Sequence, residues 1–365
     1  LGERPTRVPF VVGVAGSVAG RGRWFGAGVG FYGKSVPDRS PMIGVSPVVD
    51  GHEVTVRHEV PAQFQPGSNP VPNQARPAGE RSTIMKTANM ESGSMESSNT
   101  ESTSLPVPRG PAGTVVVTGA SHRVGRAIAL EFARLGYGLV LTYRSRPSEC
   151  AETVRRAIEV GSAHGHAIAV ESVALDLADT AAAERFAEGL AARCRAQGAA
   201  IDAIVHNASA YEPTALRGIS AAAVESMHRV EVVSPLLVTE RLGEALAASR
   251  LAGGGAVVFF SDMYAIGRAR AGFTPYMLAK AGVETLARQL AVELAPRVRV
   301  HCVAPGVILW PEGFPEETKQ AILAHTPLGR AGTAEEAARL VRFLALEASF
   351  MTGGTIAIDG GRGLR

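Results

Sequence analysis

Cysteine is scarce in this chain of 365 residues, which contains only Cys150, Cys194 and Cys302. Three scattered cysteines are too few for a disulfide framework or a cysteine-rich zinc site, so they fit a reducing compartment and we expect them to be buried or inert. No run of 18 or more apolar residues occurs, so no membrane-spanning helix is predicted. Charge of one sign is also lacking, because 37 Lys and Arg stand against 34 Asp and Glu. Nucleic-acid binders carry a basic excess, so we do not expect nucleic acid as the partner. Because the cysteines fit a reducing compartment and no membrane span is predicted, we expect a cytoplasmic protein without a membrane partner.

The composition changes near residue 112. Of the 22 prolines, 13 lie in residues 1–111, and the tract from Ser82 to Ser104 is rich in Ser and Thr without apolar periodicity. Such a segment cannot bury enough surface to offset its chain entropy. We therefore predict a disordered, low-complexity extension over residues 1–111 and one ordered domain over residues 112–365.

The beginning of the chain has two unusual features. The sequence starts at Leu1, and Met85, Met90 and Met95 lie shortly before the predicted domain. An over-extended gene start would account for both the first residue and the unusual composition. The apolar stretch from Val8 to Gly20 follows two arginines and resembles a signal peptide, with an accidental apolar stretch as the alternative.

From Thr114 onward, strand-like apolar runs alternate with helical patterns. The predicted strands are Thr114–Thr118, Gly138–Tyr143, Ala167–Leu175, Ile201–His206, Ala256–Ser261, Val298–Val303 and Thr355–Ile358. The predicted helices are Arg123–Leu135, Ser148–Ala163, Thr180–Gln197, Ala221–Ser249, Thr274–Leu294 and Ala334–Leu346. Such alternation indicates a parallel sheet covered on both faces, and right-handed crossovers then wind it in two directions. The predicted fold is a doubly wound α/β domain with a seven-stranded Rossmann-type sheet.

The first predicted strand runs directly into a glycine-containing turn and a helix. Thr118 and Gly119 begin the turn, and Arg123 and Gly125 begin the helix, a TGxxxRxG spacing. Gly119 permits the tight turn, Gly125 permits close packing of helix and strand, and the first backbone N–H groups of such a helix bind a pyrophosphate. Arg123 is alternatively a solvated charge. A cation is unfavourable at this end of the helix dipole, however, unless an anion binds nearby.

Arginine and serine follow the second predicted strand, which ends in Tyr143, Arg144, Ser145 and Arg146. NAD-specific sites place an acidic residue here to bind the ribose 2′-hydroxyl. The residues present match a 2′-phosphate instead, so we predict NADPH as the cofactor. The alternative is that both arginines are exposed loop charges. Asp176, after the third strand, lies where the adenine would pass or else caps the next helix.

Polar side chains also follow the fourth and fifth predicted strands. Asn207 ends the fourth, Asp262 follows the fifth, and Tyr276 and Lys280 come next at i and i+4, on one face of a helix. A lysine ammonium near a tyrosine hydroxyl lowers the pKa of the phenol and helps it transfer a proton near neutral pH. All of these residues would meet at the carboxyl ends of the parallel strands, where such sheets bind ligands.

Taken together, residues 114–365 resemble the short-chain dehydrogenase/reductase family, and within it the pteridine reductases. Asp262 stands in place of the usual catalytic serine. The other residues that carry the resemblance are Thr118–Gly125, Tyr143–Ser145, Asn207–Tyr211, Tyr276, Lys280, Ala304–Gly306, Ile308–Glu312, Pro327–Arg330 and Ile358–Gly361.

The resemblance implies hydride transfer from NADPH to a pterin or folate ring. Tyr276 would donate a proton, and Lys280 would orient the nicotinamide ribose and tune Tyr276. Asp262 would polarise the tyrosine or supply it with protons. Tyr211 would stack a flat substrate ring against the nicotinamide, and Arg123 would contact both substrate and cofactor. The implied cofactor-binding residues are Gly119, Ser121, Arg123, Val124, Gly125, Tyr143, Arg144, Ser145, Asp176, Leu177, Asn207, Ala208, Ser209, Tyr276, Lys280, Pro305 and Gly306.

Three residues or spacings depart from the family pattern. Glu231 stands four residues before Pro235, where the family usually has an asparagine that anchors a water. His206 replaces the first asparagine of the usual Asn-Asn-Ala-Gly. Tyr276 follows Asp262 by 14 residues, one more than expected, which a one-residue loop insertion explains.

Two other functions stay open at this point. One is a carbonyl reductase, for example of 3-oxoacyl carrier-protein thioesters, which Asp262 and Tyr211 disfavour. The other is a non-catalytic NADPH-binding sensor or scaffold, which the replacement of the usual asparagine by Glu231 suggests. His164 and His166 have no accompanying ligands, so no metal site is predicted. We expect a small-molecule substrate and a homodimer or homotetramer.

Overall fold

The computed structural model describes residues 105–365, which form a parallel sheet with helices on both faces. Its strands are β1 (Gly113–Val117), β2 (Tyr137–Tyr143), β3 (Val170–Ala174), β4 (Ala203–His206), β5 (Gly255–Phe260), β6 (Val298–Pro305) and β7 (Thr355–Ile358). Its helices are α1 (Arg123–Arg134), α2 (Pro147–Ala163), α3 (Thr180–Gln197), α4 (Ala221–His228), α5 (Ser234–Arg241), α6 (Gly243–Ala247), α7 (Thr274–Glu293), α8 (Glu316–Ala324) and α9 (Ala334–Leu346). A π-helical turn, Arg229–Val233, joins α4 to α5.

The strand order is β3-β2-β1-β4-β5-β6-β7, and every neighbouring pair is parallel. Val115 of β1 pairs with Leu139 of β2 on one side and with Ala203 of β4 on the other. The predicted seven-stranded, doubly wound sheet is therefore confirmed. The order reverses between β1 and β4, so a crevice opens beyond their carboxyl ends, where such sheets bind ligands.

Alternate residues of each central strand face two separate hydrophobic layers. Val116 and Ile204 pack with side chains of α3, α5, α6 and α7. Val115 and Val205 pack on the other face with α1, α2 and α9. Both faces are covered, which is why these strands read as continuous apolar runs. The predicted burial of the cysteines is confirmed, since the three free thiols all lie in these layers: Cys150, Cys194 and Cys302.

Most predicted element bounds differ from the observed ones only at their ends, and three are the same: Thr180–Gln197, Ala334–Leu346 and Thr355–Ile358. Side-chain caps define the start of the two helices in this group, α3 and α9. The Asp179 carboxylate accepts a hydrogen bond from the Ala182 N–H before α3. Thr333 and Glu336 form a reciprocal capping box at the start of α9. These caps satisfy N–H groups that a helix cannot pair internally.

The prediction of one long helix over Ala221–Ser249 is wrong. The structure divides this segment into α4, the π-helical turn, α5 and α6. Pro235 has no N–H to donate to the carbonyl of Glu231, so a regular α-helix cannot continue through this point. The extra residue of the π-turn places Glu231 on the buried side, with 3% of the residue exposed. Such turns often occur at functional sites.

The N-terminal domain boundary lies earlier than predicted. Val107 is buried and its N–H donates to the Gln197 Oε1 atom at 2.9 Å. The Pro108 carbonyl accepts from the Thr114 hydroxyl at 2.9 Å, and the Arg109 carbonyl accepts from the Ala169 N–H at 3.0 Å. Residues 105–111 therefore belong to the domain. The rest of the predicted extension, residues 1–104, lies outside the described residues, as do the apolar stretch and the methionines noted above.

Helix α8 was not predicted from the sequence. Its apolar residues show no clear helical period, because the helix has no fully buried face that would require one. The helix matters because it follows the loop after β6 and contributes Ile322 to the wall of the main cleft. Across residues 105–365, no helix combines the length and the hydropathy needed to cross a membrane.

Candidate active site

The main cleft has a volume of about 710 Å³ and opens at the carboxyl ends of β1, β4, β5 and β6. Every residue that the sequence predicted for cofactor or substrate lines it, with the exception of Lys280. These residues are Gly119, Ser121, Arg123, Val124, Gly125, Tyr143, Arg144, Ser145, Asp176, Leu177, Asn207, Ala208, Ser209, Tyr211, Asp262, Tyr276, Pro305 and Gly306. The topology thus brings together residues that are up to 187 positions apart, from Gly119 to Gly306.

Two glycines are required by the turn between β1 and α1. Gly119 has a φ of +66°, and a Cβ there would lie 2.8 Å from the Ala208 Cα atom. A Cβ on Gly125 would lie 2.2 Å from the Gly119 carbonyl oxygen. Arg123 has a φ of +53°, which is unfavourable for a residue with a side chain. Glycine is the residue that adopts this conformation without strain.

Asn207 holds this turn against the end of β4. Its Nδ2 atom donates to the carbonyls of Thr118 and Gly119, both at 3.0 Å. In return, the Thr118 hydroxyl oxygen accepts from the N–H groups of Asn207 and Ala208, both at 3.1 Å. The side-chain amide of Asn207 therefore fixes the shape of the turn. Through these hydrogen bonds it supports the cofactor site by positioning the turn.

The cofactor end of the cleft has the properties of an anion site. Among the described residues, no side chain caps the N-terminus of α1 and no acid lies in its first turn. Arg123, the first residue of α1, lines the same cleft, and its Nη2 atom donates to the Leu309 carbonyl at 2.8 Å. Unpaired helix N–H groups and a nearby guanidinium suit the pyrophosphate of a dinucleotide. These residues therefore fit a nicotinamide dinucleotide.

The two arginines after β2 differ in their surroundings. Arg144 is exposed in the cleft wall and forms no ion pair with any residue in 105–365. Arg146 forms an ion pair with the Glu149 carboxylate at 2.5 Å. Asp176, further along the wall, accepts a hydrogen bond from the Ala178 N–H at 2.9 Å and so shapes its own turn. Arg144 is therefore the arginine of this pair whose charge is available to a ligand.

Asp262 and Tyr276 form a hydrogen-bonded pair in the cleft. The Tyr276 hydroxyl donates to the Asp262 Oδ2 atom at 3.2 Å, and the Asp262 Oδ1 atom accepts from the Tyr264 N–H at 2.9 Å. Burial is the main reason that the pKa of Tyr276 is raised well above its usual range, and the negative charges of Asp262 and Glu231 raise it further. The extra residue in the loop between Asp262 and Tyr276 has not moved the two side chains apart.

Lys280 lies behind the cleft wall, in a buried ion pair with Glu231. The Lys280 Nζ atom donates to the Glu231 Oε2 atom at 2.8 Å and to the Phe260 carbonyl at 2.7 Å. Both charged side chains are 2% exposed. The other carboxylate oxygen, Oε1, accepts from the Ser209 hydroxyl at 2.6 Å and from the Ala210 N–H at 2.9 Å. Glu231 therefore has every contact that a buried carboxylate needs, and a charge that matches the ammonium.

This arrangement bears on two expectations about Lys280. The Lys280 ammonium lies behind the residues that line the cleft and is paired with Glu231, and its predicted contact with the cofactor stays a prediction. The predicted lowering of the pKa of Tyr276 is wrong. The ammonium is 5.5 Å from the centre of the Tyr276 ring, but the Glu231 carboxylate offsets its charge, and the pKa is raised. Tyr276 is thus held as a neutral phenol, which is the form that donates a proton.

Aromatic rings make up the substrate end of the cleft. The Tyr211 ring lies edge-on to Tyr276 at 5.2 Å between centroids and is tilted against Phe273 at 5.0 Å. Trp310, which also lines the cleft, stacks on Phe314 at 5.3 Å between centroids. Such surfaces suit a flat ring, which packs well against aromatic faces and edges.

Several cleft residues were not predicted from the sequence as site residues. They include Tyr264, Arg270, Phe314 and Arg362. Tyr264 and Arg270 lie in the loop between Asp262 and Tyr276, so the position of that loop between two predicted site residues was the available signal. Phe314 comes from a segment far along the chain that no local pattern marked. For Arg362, at the C-terminal tail, the family resemblance implied either a frayed terminus or a place near the active site of a neighbouring subunit, whereas the structure places it in the cleft of its own chain.

His206 does not belong to the cleft. It is buried, its Nε2 atom lies 2.8 Å from the Thr239 hydroxyl, and its ring stacks on Phe259. Burial lowers the pKa of His206 to about 3, so the imidazole is neutral and acts as a core residue. Within residues 105–365, no group of three or more His, Cys, Asp or Glu residues is placed to hold a metal ion.

A family model described as Enoyl-(Acyl carrier protein) reductase matches residues 119–362. The chain belongs to the short-chain dehydrogenase/reductase family. Among curated members of this family, the 3-oxoacyl-(acyl-carrier-protein) reductase of Pseudomonas aeruginosa is 32% identical, over 67% of this chain and 95% of its own. The dihydromonapterin reductase of Enterobacter sp. (strain 638) is 28% identical, over 70% of this chain and 98% of its own.

A solved structure with a similar fold agrees with the assignment. The acetoin dehydrogenase of Salmonella typhimurium is similar to this chain with a TM-score of 0.60 and 25% identity, over 69% of this chain and 96% of its own. As a short-chain dehydrogenase/reductase, the protein is an oxidoreductase that uses a nicotinamide cofactor and acts on a small molecule. The cleft described above is the part of the chain with residues suited to both ligands.

Proposed function

We propose that this protein is an NADPH-dependent reductase of a pterin or folate ring. The observation that carries the proposal is the hydrogen-bonded Asp262–Tyr276 pair in a cleft walled by Tyr211 and Trp310. A ring nitrogen of a pterin needs a proton as the ring is reduced. A carboxylate next to the tyrosine can resupply that proton, and the aromatic walls suit a flat bicyclic ring.

Each proposed site residue has a distinct task. A bound nicotinamide cofactor supplies the hydride. Tyr276 donates the proton from its hydroxyl oxygen, and Asp262, which reaches the cleft surface, takes a proton from water and returns it to that oxygen. Lys280 and Glu231 act as positioning residues, because they hold Phe260 and Ser209 at the ends of the strands beneath the reacting groups.

We also propose that the cofactor is NADPH rather than NADH. The free guanidinium of Arg144 and the hydroxyl of Ser145 replace the acid that would repel a 2′-phosphate. A charge-assisted hydrogen bond contributes about 1.5–3 kcal/mol, or roughly ten-fold or more in affinity.

The two arginines after β2 provide a matched test of this preference. Arg144→Gln should remove most of the difference in affinity between NADPH and NADH, measured by fluorescence titration. Arg146→Gln removes an equal charge from an arginine already paired with Glu149, so it should change the ratio less. Equal affinities for the two cofactors in the unmutated protein would show that the 2′-phosphate is not recognised.

A carbonyl reductase is the second candidate, because the chain is similar to a 3-oxoacyl-(acyl-carrier-protein) reductase at 32% identity. NADPH oxidation measured in parallel with dihydrobiopterin, dihydrofolate and an acetoacetyl thioester separates the candidates. Turnover of the pterin substrates supports the proposal, and turnover of the thioester alone supports the second candidate. NADPH binding without turnover of any of them would indicate a sensor or scaffold.

Three further features stay predictions. We expect a homodimer or homotetramer, which sedimentation analysis would detect, and a cytoplasmic location, which fractionation would test. The composition of residues 1–104 predicts that they are not needed for folding of the reductase domain.

A further inference from the structure

Two arginines lie in the cleft among the aromatic rings around the Asp262–Tyr276 pair. The guanidinium carbon of Arg270 is 4.1 Å from the centre of the Phe273 ring and 5.3 Å from that of Tyr211. The guanidinium carbon of Arg362 is 5.7 Å from the centre of the Tyr264 ring. Both arginines are half-buried and both line the cleft.

Neither guanidinium is neutralised by the protein. In residues 105–365, neither Arg270 nor Arg362 forms an ion pair with a carboxylate. The acids that line the cleft are Asp176 and Asp262. Asp176 lies after β3, in the predicted adenine region, and Asp262 accepts hydrogen bonds from Tyr276 and Tyr264. The substrate end therefore has an excess of positive charge.

The aromatic contacts hold the guanidinium groups without using up their charge. A guanidinium above a ring face is attracted by the ring's quadrupole, at low cost in hydration because guanidinium is weakly hydrated. Its N–H donors form a planar fork that matches a carboxylate. Arg270, held by Phe273 and Tyr211, is thus ordered before any anion binds.

We propose that Arg270 and Arg362 form an anion subsite that binds a carboxylate on the substrate, at the end of the substrate remote from the reacting ring. The substrate class is then a flat heterocycle with an acidic tail, such as a folate with its glutamate carboxylates, rather than a pterin with a neutral side chain. The inference rests on the proposed function for the identity of the ring. It rests on the two arginines alone for the acidic tail.

A neutral analogue of the same size tests the subsite. The kcat/KM for dihydrofolate is compared with that for dihydrofolate whose glutamate carboxylates are converted to amides. Binding of folate and its bis-amide to the protein with NADP⁺ is followed in parallel by fluorescence of Trp310, which lines the cleft. The acid should be preferred by roughly 10- to 100-fold in both measurements, the usual range for one or two charge-assisted hydrogen bonds.

The variants assign that preference to the two arginines. Arg270→Gln and Arg362→Gln should each reduce the acid-to-amide ratio, mainly through KM for the acid, and Arg270→Lys should retain part of it. Arg217→Gln is the matched control, because Arg217 is an exposed arginine outside the cleft lining and its loss changes the net charge equally. It should leave the ratio unchanged.

The possible failures are distinguishable. If folate is preferred over its bis-amide in binding but no pterin is reduced, the proposed function is wrong and the subsite stands. If pterins are reduced but the acid and amide forms are used equally well, the subsite is refuted and the proposed function stands. A reduction of the ratio in Arg217→Gln as large as in Arg270→Gln would also refute the subsite, since it would reflect net charge alone.

Discussion

The buried ion pair of Glu231 and Lys280 allows a quantitative test of the structure. The perturbation is Glu231→Gln, which keeps the size of the side chain and removes its charge. The Glu231 Oε1 atom accepts from Ser209 and Ala210, and the Oε2 atom accepts from Lys280. A glutamine has one acceptor oxygen and one NH₂ donor. In either orientation, its NH₂ group faces a donor that has no lone pair to offer, the Lys280 ammonium or the Ala210 N–H.

The magnitude follows from the burial of the pair. With both side chains 2% exposed, neither water nor another carboxylate can replace the lost charge. Removing one partner of a buried pair costs about 3–5 kcal/mol of the free energy of unfolding. For a domain of this size, that corresponds to a decrease in Tm of roughly 6–20 °C.

A matched control lies in the preceding helix. Glu225 forms an ion pair with Arg229 at 3.2 Å, with side chains 61% and 48% exposed. Such an exposed pair contributes at most about 0.5 kcal/mol, so Glu225→Gln should shift Tm by no more than a degree or two. The same substitution type on the same segment thus separates burial of charge from a general effect of losing a glutamate.

The assay is urea unfolding followed by circular dichroism, with Lys280→Met and the double variant completing a cycle. Lys280→Met leaves the Glu231 carboxylate without its counter-charge, whereas the double variant leaves no uncompensated charge. The double variant should therefore be destabilised by less than the sum of the single variants, with a coupling energy above about 1 kcal/mol. The reasoning is refuted if Glu231→Gln is as stable as Glu225→Gln, or if the single effects are additive.

Three other predictions concern proton transfer, pH and the domain boundary. Tyr276→Phe deletes only the hydroxyl, so it should lower turnover by roughly 10²–10⁴-fold with little change in NADPH affinity; turnover equal to the parent would refute the role of Tyr276. In Glu231→Gln, a negative charge that raises the pKa of Tyr276 is removed. The pKa then falls, so the decline of reductase kcat at high pH should begin at a lower pH than in the parent; an unchanged profile would contradict this. A chain that begins at Ser104 should melt within a few degrees of the full chain, whereas one that begins at Ala112 loses the burial of Val107, about 1.5–3 kcal/mol, and should melt several degrees lower.

The fold of the domain and most of its cofactor site could be predicted from the sequence, because both depend on local signals. A strand buried on both faces reads as a continuous apolar run, and TGxxxRxG directly after such a strand specifies a turn. The parallel topology then requires the ends of β1, β4 and β5 to share one edge, so Gly119, Asn207 and Asp262 were predicted to meet. The structure places all three in the same cleft.

The pairing of charges was decided only by the tertiary structure. Glu231 and Lys280 are 49 residues apart, and the π-turn that precedes Pro235 sets the side on which Glu231 lies. The lowering of the pKa of Tyr276 predicted from Lys280 is outweighed by burial of the phenol and by the negative charges of Asp262 and Glu231. The sign of a pKa shift depends on all charges within a few ångströms, and sequence spacing supplies only those on the same helix. The tertiary structure also decided the position of Arg362, near the end of the chain. The C-terminal segment packs against the loop after β5, and this long-range contact places Arg362 in the cleft.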